Sequence, residues 1–386
     1  MFPPVARPEV QALRSSKIRE VANAAMGRAD VLPFWFGEGD LPTPEPIRRA
    51  AADALLAGRT YYTHNLGRAE LRDALSAYLT GLHGRPIGAE RLAITSSGVS
   101  ALMVAAQAVV SPGERVVVTG PVWPNVAEIP RILSGQVETL AVEPAQGRWR
   151  LDLDRLMDAL TPDTRALFLN SPNNPTGWTL PAQDRAAILE RCRRYGIWLV
   201  ADDVYERLTF ARERAASFLE LAEDGDRVIS TNSFSKAWRM TGWRLGWMVV
   251  PPALTEAVGV LLEYNTSCAP DFVQAAAVVA LEQGEPHVAE LRAELAAARD
   301  QVLTGLRAIP GIEAPEPEGG MYAFFRIAGC ADSVQLARDL IDQARLGLAP
   351  GVAFGSEGEG WLRWCFAARP EKNAEGLARL AAYMQR

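Results

Sequence analysis

A lysine becomes a nucleophile when its surroundings remove its charge, and one lysine of this chain is placed for that. Lys236 closes the run Ser233-Phe234-Ser235-Lys236, small and aromatic neighbours just after an apolar strand, with Arg244 eight residues further on. A loop lysine is ordinarily a solvated surface residue. The neighbours of Lys236 reverse that reading, because partial burial lowers the pKa and leaves a free amine able to attack a carbonyl. A carboxylate stands at a comparable point. Ala201-Asp202-Asp203-Val204-Tyr205 ends a five-residue apolar strand, and ligands of open α/β sheets lie beyond the carboxyl ends of strands. There a carboxylate can pair with a cationic ring nitrogen, an attraction of roughly 4 kcal/mol at about 4 Å before desolvation. Asp202 is assigned to that ligand, and Asp203 to capping a helix expected to follow. Two further loops follow buried strands. Asn170-Ser171-Pro172-Asn173-Asn174-Pro175-Thr176-Gly177 reads by itself as a Pro/Asn/Gly turn. Thr95-Ser96-Ser97-Gly98-Val99-Ser100 opens a helix, and the free N–H groups and dipole of such a start suit a phosphate.

These loops need a scaffold of strands and helices in alternation, and the chain supplies one. Helical patterns are predicted over 46–57, 69–79, 100–110, 152–160 and 182–195. Apolar strands are predicted over 92–95, 115–119, 137–142, 166–169, 197–201, 227–230 and 245–250. Strands this apolar on both faces, separated by helices, imply a parallel or mixed sheet covered on both sides, an α/β fold. After about Pro251 the character changes to alanine-rich helix over 272–281 and 286–309, turns at Pro310-Gly311 and Pro315–Gly320, a strand over 321–327, and further alternation ending in a helix.

The chain has 386 residues, more than one ordinary domain core holds. With 48% hydrophobic and 22% charged residues it reads as globular rather than disordered. A net charge of −6 without a basic block gives no sign of nucleic-acid binding. No run reaches the length of a membrane span, and Met1–Arg7 lacks the pattern of a secretory signal. Four cysteines without a CxxC pair suit a reducing, cytoplasmic setting. His64, His83 and His287 lie far apart without an HExxH, so no metal site is expected. No GxGxxG opens a helix after a strand and no GxSxG elbow occurs, which argues against nicotinamide oxidoreduction and serine hydrolysis.

Taken in order from about Pro33 to Arg369, these motifs resemble the class I and II aminotransferases of fold type I, the aspartate aminotransferase family, most strongly over Ser233–Trp247. The resemblance implies pyridoxal 5′-phosphate as cofactor, a large domain with a mostly parallel seven-stranded sheet, and a smaller α+β domain. The expected division is 1–44 joining the small domain, 45–284 as the cofactor domain and 285–386 as the small domain. It implies that Lys236 forms the Schiff base and carries the proton, and that Asp202 partners the pyridine nitrogen. Tyr205 and Asn174 would bond the phenolic oxygen, and Trp123 would stack on the ring. Gly98, Val99, Ser233 and Arg244 would hold the phosphate. Tyr62 is similar to the tyrosine that reaches the neighbouring subunit's phosphate, hence a homodimer with shared sites. Arg363 resembles the arginine that clamps the substrate carboxylate, a task for a planar fork, and Gly37 the glycine whose backbone meets substrate.

The implied activity moves an amino group between an L-amino acid and a 2-oxo acid in a ping-pong cycle of the cofactor's aldehyde and amine forms. A lyase on the same scaffold is the alternative, and a non-enzymatic cofactor-binding sensor is a more distant one. Val99, Gly39, the aromatic strand Phe34-Trp35-Phe36 and His64-Asn65 depart from the family's pattern near the substrate mouth. With no second arginine evident for a dicarboxylic substrate, that mouth tilts the expectation toward apolar or aromatic amino donors.

Overall fold

The structure, a computed structural model, describes residues 5–13 and 15–385. Met1–Pro4, part of the segment read for a secretory signal, lie outside the described residues. The apolar strands assemble one main sheet: β1 (Leu92–Thr95), β2 (Arg115–Gly120), β3 (Gln136–Ala145), β4 (Arg148–Leu151), β5 (Thr164–Asn170), β6 (Trp198–Asp202), β7 (Val228–Ser233) and β8 (Gly246–Val249). Their spatial order is β1-β8-β7-β6-β5-β2-β3-β4. The stretch from β7 through β6, β5 and β2 to β3 is parallel, and β8 runs antiparallel to both neighbours. The sheet thus has eight strands, not the expected seven. The extra one is β4, which folds back antiparallel on β3 through Gln146 and Gly147, both at positive φ. A two-residue loop with two left-handed positions matches the twist of a hairpin.

Helices cover both faces because both faces are apolar. Val116, Val117 and Val118 are fully buried, and consecutive residues face opposite cores: Val117 joins one cluster, Val116 and Val118 another. Burying each such side chain contributes about 1.5–3 kcal/mol. The parallel register brings Asn170 beside Asp202 and Asp202 beside Thr231. The carboxyl ends of β5, β6 and β7 therefore form one rim, and the loops singled out above leave from it.

A second, antiparallel sheet follows the order β9 (Ile312–Glu313), β10 (Tyr322–Ile327), β12 (Trp361–Cys365), β11 (Ala349–Pro350). Helices Glu285–Arg307, Ser333–Ala344 and Pro370–Met384 pack in this region. Leu32–Pro33 pairs in parallel with Leu346–Gly347, tying the start of the chain to this layer. Trp149 of β4 packs on Phe324 and Trp361, with ring centroids 5.6 and 4.7 Å away, so the hairpin joins the two sheets. Among the described residues no helix is long and apolar enough to cross a membrane.

Candidate active site

Between the rim of the main sheet and the second sheet lies a cavity of about 260 Å³. Lys236, Asp202, Tyr205, Asn174, Trp123, Gly98, Val99, Ser233, Arg244, Gly37 and Arg363 all line it. Residues far apart in sequence meet here: the Nζ of Lys236, just past β7, donates to the carbonyl of Gly37, 199 positions earlier, at 2.5 Å. Burial pushes the Lys236 ammonium down to about 8, with Arg363 and Arg244 adding to the shift. Burial pushes the Asp202 carboxyl up to about 7, against the N–H of Val204, which donates to Oδ1 at 3.3 Å.

The Asn170–Gly177 loop is more than a turn. Asn170 Oδ1 accepts the N–H of Asn174 at 2.8 Å, and its Nδ2 donates to the carbonyl of Asp202 at 3.1 Å. The carbonyl of Asn174 accepts the N–H of Trp123 at 2.7 Å, which fixes that aromatic beside the rim. Arg363 reaches in from β12. Its Nη1 donates to Asn174 Oδ1 at 2.8 Å, its Nη2 donates to the carbonyl of Trp35, and its buried Nε has no partner.

At the other end, helix Gly98–Val109 begins against β8, with Ser97 Oγ accepting the N–H of Ser100 at 3.0 Å. A Cβ on Gly246 would stand 2.6 Å from the nitrogen of Gly98, so only glycine lets the helix start this close to the strand. Ser233, Ser235, Thr241 and Arg244 complete this end, Arg244 in a left-handed conformation at φ 55°. Hydroxyls, a guanidinium and helix N–H groups form a donor set suited to a phosphate dianion.

The sequence pattern of the family described as aminotransferase class I and II matches residues 30–380. The chain is 32% identical to an aspartate aminotransferase of Pyrococcus horikoshii, over 95% of this chain and 94% of the relative. It is also 32% identical to an arginine–pyruvate transaminase of Pseudomonas aeruginosa, over 94% of this chain and 92% of the relative. The solved aspartate aminotransferase of Rhizobium meliloti superposes with a TM-score of 0.91 at 31% identity, each chain fully covered. The chain belongs to the class I and II aminotransferases. It is a pyridoxal-phosphate-dependent transaminase of fold type I, and the named relatives give the lyase alternative no better support.

The residues present in this aminotransferase fit that coenzyme. The cavity offers a phosphate-suited donor set at one end, a buried carboxylate with one oxygen left for a ring nitrogen, a buried amine, and a guanidinium with an orphaned Nε. Several expectations need correction. Asp203 caps no helix: turns follow it, and its Oδ2 accepts the hydroxyls of Ser230 at 2.6 Å and Ser217 at 3.4 Å, on the opposite side of β6 from the cavity. Consecutive strand residues point to opposite faces, so the two aspartates could not share one task.

The aromatic mouth is narrower than expected. Phe34 is buried against Trp364 and Trp35 against Gly347, where a Cβ would come within 1.9 Å of its ring, so only Phe36 lines the cavity. Tyr62 is 88% exposed and does not line the cavity.

Tyr322 was not among the residues expected at the site. It sits where the Gly319-Gly320 turn enters β10, and its hydroxyl lies 2.7 Å from that of Tyr205. The double glycine ahead of an aromatic residue was the available signal, and it was read as a loop and a core strand. Ile18, Asn170, Ser235 and Thr241 were also missed as lining residues.

Proposed function

We propose that this aminotransferase takes amino donors with apolar or aromatic side chains, using the residues of the cavity in the following roles. Gly98, Val99, Ser233 and Arg244 bind the phosphate, Asp202 pairs with the ring nitrogen, Tyr205 and Asn174 bond the phenolic oxygen, and Trp123 covers the ring. Bound there, the coenzyme supplies an aldehyde that carries the amino group and a ring that withdraws electrons. Lys236 would hold the coenzyme covalently, and its amine, when free, would accept the proton from the substrate α-carbon. Its burial suits this, since an amine with its pKa near 8 is available as a base at neutral pH where a solvated lysine is not. Arg363 turns its fork from Asn174 and Trp35 to the α-carboxylate, and Gly37 leaves its backbone beside the substrate.

The observation that carries this reading is the meeting of Lys236, Asp202 and Arg363 around one cavity. The side-chain preference rests on its charge. The cations among the described lining residues are Lys236, Arg244 and Arg363, each already engaged, and the remaining wall includes Ile18 and Phe36. Replacing Lys236 by Ala is expected to abolish turnover and the visible absorbance of the holoenzyme. An active, yellow variant would refute the assignment. With the wild type, leucine, methionine and phenylalanine should bleach that band at lower concentrations than aspartate or glutamate, and the reverse order would overturn the side-chain preference.

The reading extends to the whole molecule. A cofactor domain over 45–284 and a small domain formed by 1–44 with 285–386 would meet at Gly284, between helices Asp271–Gln283 and Glu285–Arg307. Closing them brings Arg363 and Gly37 onto the ring and excludes water. The exposure of Tyr61 and Tyr62 supports a homodimer in which Tyr62 reaches the neighbouring phosphate. Four unpaired cysteines are compatible with a cytoplasmic setting.

A further inference from the structure

Tyr322 does not belong to any role assigned so far, yet it touches three residues that have one. Its hydroxyl is 2.7 Å from the hydroxyl of Tyr205, with either oxygen able to donate, and the two rings meet edge to face at 5.8 Å. The guanidinium of Arg363 lies over its ring at 4.3 Å. A Cβ on Gly37 would fall 2.0 Å from its hydroxyl. Tyr322 is 1% and Tyr205 3% exposed, so water does not compete for the bond between them. The two belong to different sheets. Tyr205 follows β6, while Tyr322 opens β10, whose register with β12 places Tyr322 opposite Cys365 and Phe324 opposite Arg363. Tyr322 and Arg363 therefore ride on adjacent strands of one sheet and move together.

We propose that Tyr322 is a positioning residue that sets, through Tyr205, how strongly the phenolic oxygen of the coenzyme is held. The proposal rests on the reading that Tyr205 faces that oxygen. A hydroxyl has one proton. If Tyr205 gives its proton to the coenzyme, the bond to Tyr322 can persist only with Tyr322 as donor. Donation into Tyr205 polarises its own O–H and makes it a better donor in turn, an effect strengthened in a site closed to water. A donor to an anionic oxygen stabilises the coenzyme form that has lost its proton, so the proton leaves at lower pH. Because Tyr322 shares a sheet with Arg363, engagement of the carboxylate clamp and tuning of the ring are linked.

The test is a spectrophotometric pH titration of the visible band of the holoenzyme, with coenzyme affinity measured alongside. Tyr322→Phe removes only the hydroxyl and leaves the ring under Arg363. It is expected to raise the titration midpoint by about 0.5–1 pH unit, the scale of one neutral hydrogen bond, and to weaken coenzyme binding severalfold. Tyr205→Phe should raise the midpoint further, and adding Tyr322→Phe to it should change nothing more. If Tyr205→Phe moves the midpoint and Tyr322→Phe does not, the proposal fails while the role of Tyr205 stands. If neither moves it, the role of Tyr205 falls and the proposal with it. An equal shift from Tyr322→Phe in both backgrounds would show that its effect bypasses Tyr205, which also overturns it.

Discussion

Burial does the same work on two groups that line the cavity, with opposite consequences for each. It strips charge from Lys236, which the proposed chemistry needs neutral, and from Asp202, which that chemistry needs ionised. The first effect serves the enzyme directly. In the proposed role the second is a cost that a cationic ring nitrogen would remove on binding, since an opposite charge nearby restores a carboxylate. The sign of the stability effect follows. With its folded pKa raised to about 7, Asp202 is protonated in the folded state and ionised in the unfolded state between its ordinary range and pH 7. Stability of the coenzyme-free protein therefore falls as pH rises through that window, and the full penalty is present above it. Asp202→Asn should stabilise the coenzyme-free enzyme by about 2–4 kcal/mol at pH 8 and by almost nothing at pH 4. It should also lower turnover by roughly a hundredfold or more, because an amide cannot hold a ring proton by charge. Denaturant unfolding of the apo forms at the two pH values decides the matter, and a gain equal at both would show that Asp202 is not ionised by pH 8. Lys236, Asp202 and Asn174 were legible in the sequence because each sits in a short motif at a strand end. Tyr322 was not, because its importance comes from a neighbour 117 positions away.

At the scale of elements, the long apolar strands and most of the longer helices were readable, since a buried parallel strand and an amphipathic helix each leave a periodic trace, but helices Lys17–Ala24 and Thr255–Asn265 were not read. Helix Pro124–Ile132 left none. Pro130 within it interrupts the helical pattern, whereas Pro124 sits at the first turn, where a proline costs a helix nothing. Strand β4 was hidden by a Gln146-Gly147 loop that lacks the usual Asn-Gly signal.

The junction of β8 with helix Gly98–Val109 was equally invisible, because close approach of two backbones depends on what is missing from Gly246. Its consequence can be tested. A methyl group at Gly246 would meet the nitrogen of Gly98 at 2.6 Å, the carbonyl oxygen of Asn232 at 2.7 Å and the carbonyl carbon of Ser97 at 2.7 Å, all backbone atoms that no rotamer change can move. Gly246→Ala should push the helix start outward, lose about 1–3 kcal/mol of stability and weaken coenzyme binding by roughly tenfold or more through the displaced N–H groups. Gly242→Ala, four residues earlier with nothing within 4 Å of its added carbon, is the control and should leave both unchanged. Equal coenzyme affinity in the two variants, measured by absorbance titration, would refute the glycine's role.

At the scale of the whole molecule, Tyr62 is the residue whose proposed role cannot be performed inside one chain. Its side chain is 88% exposed and stands outside the cavity, while its loop is firmly held: the nitrogen of Thr63 donates to Cys268 Sγ at 3.3 Å, and Asp271 accepts from both Arg59 and Arg68. Tyr61 is exposed beside it, and two neighbouring exposed aromatic side chains suit the proposed contact. In a two-fold dimer each site would use Lys236 from one subunit and Tyr62 from the other. Mixing two defective enzymes tests this. A Lys236→Ala subunit paired with a Tyr62→Ala subunit makes one site that carries both defects and one that carries neither. If subunits reassort freely, about half the dimers are hybrid and about a quarter of all sites are wild type. Unfolding and refolding the two variants together should therefore yield activity near a quarter of the wild-type value, above that of either variant refolded alone. Tyr62 serving its own subunit predicts a different outcome, since no combination of these chains then restores an intact site. In that case the mixture would never exceed the average of the two parents, and the shared-site dimer would be excluded.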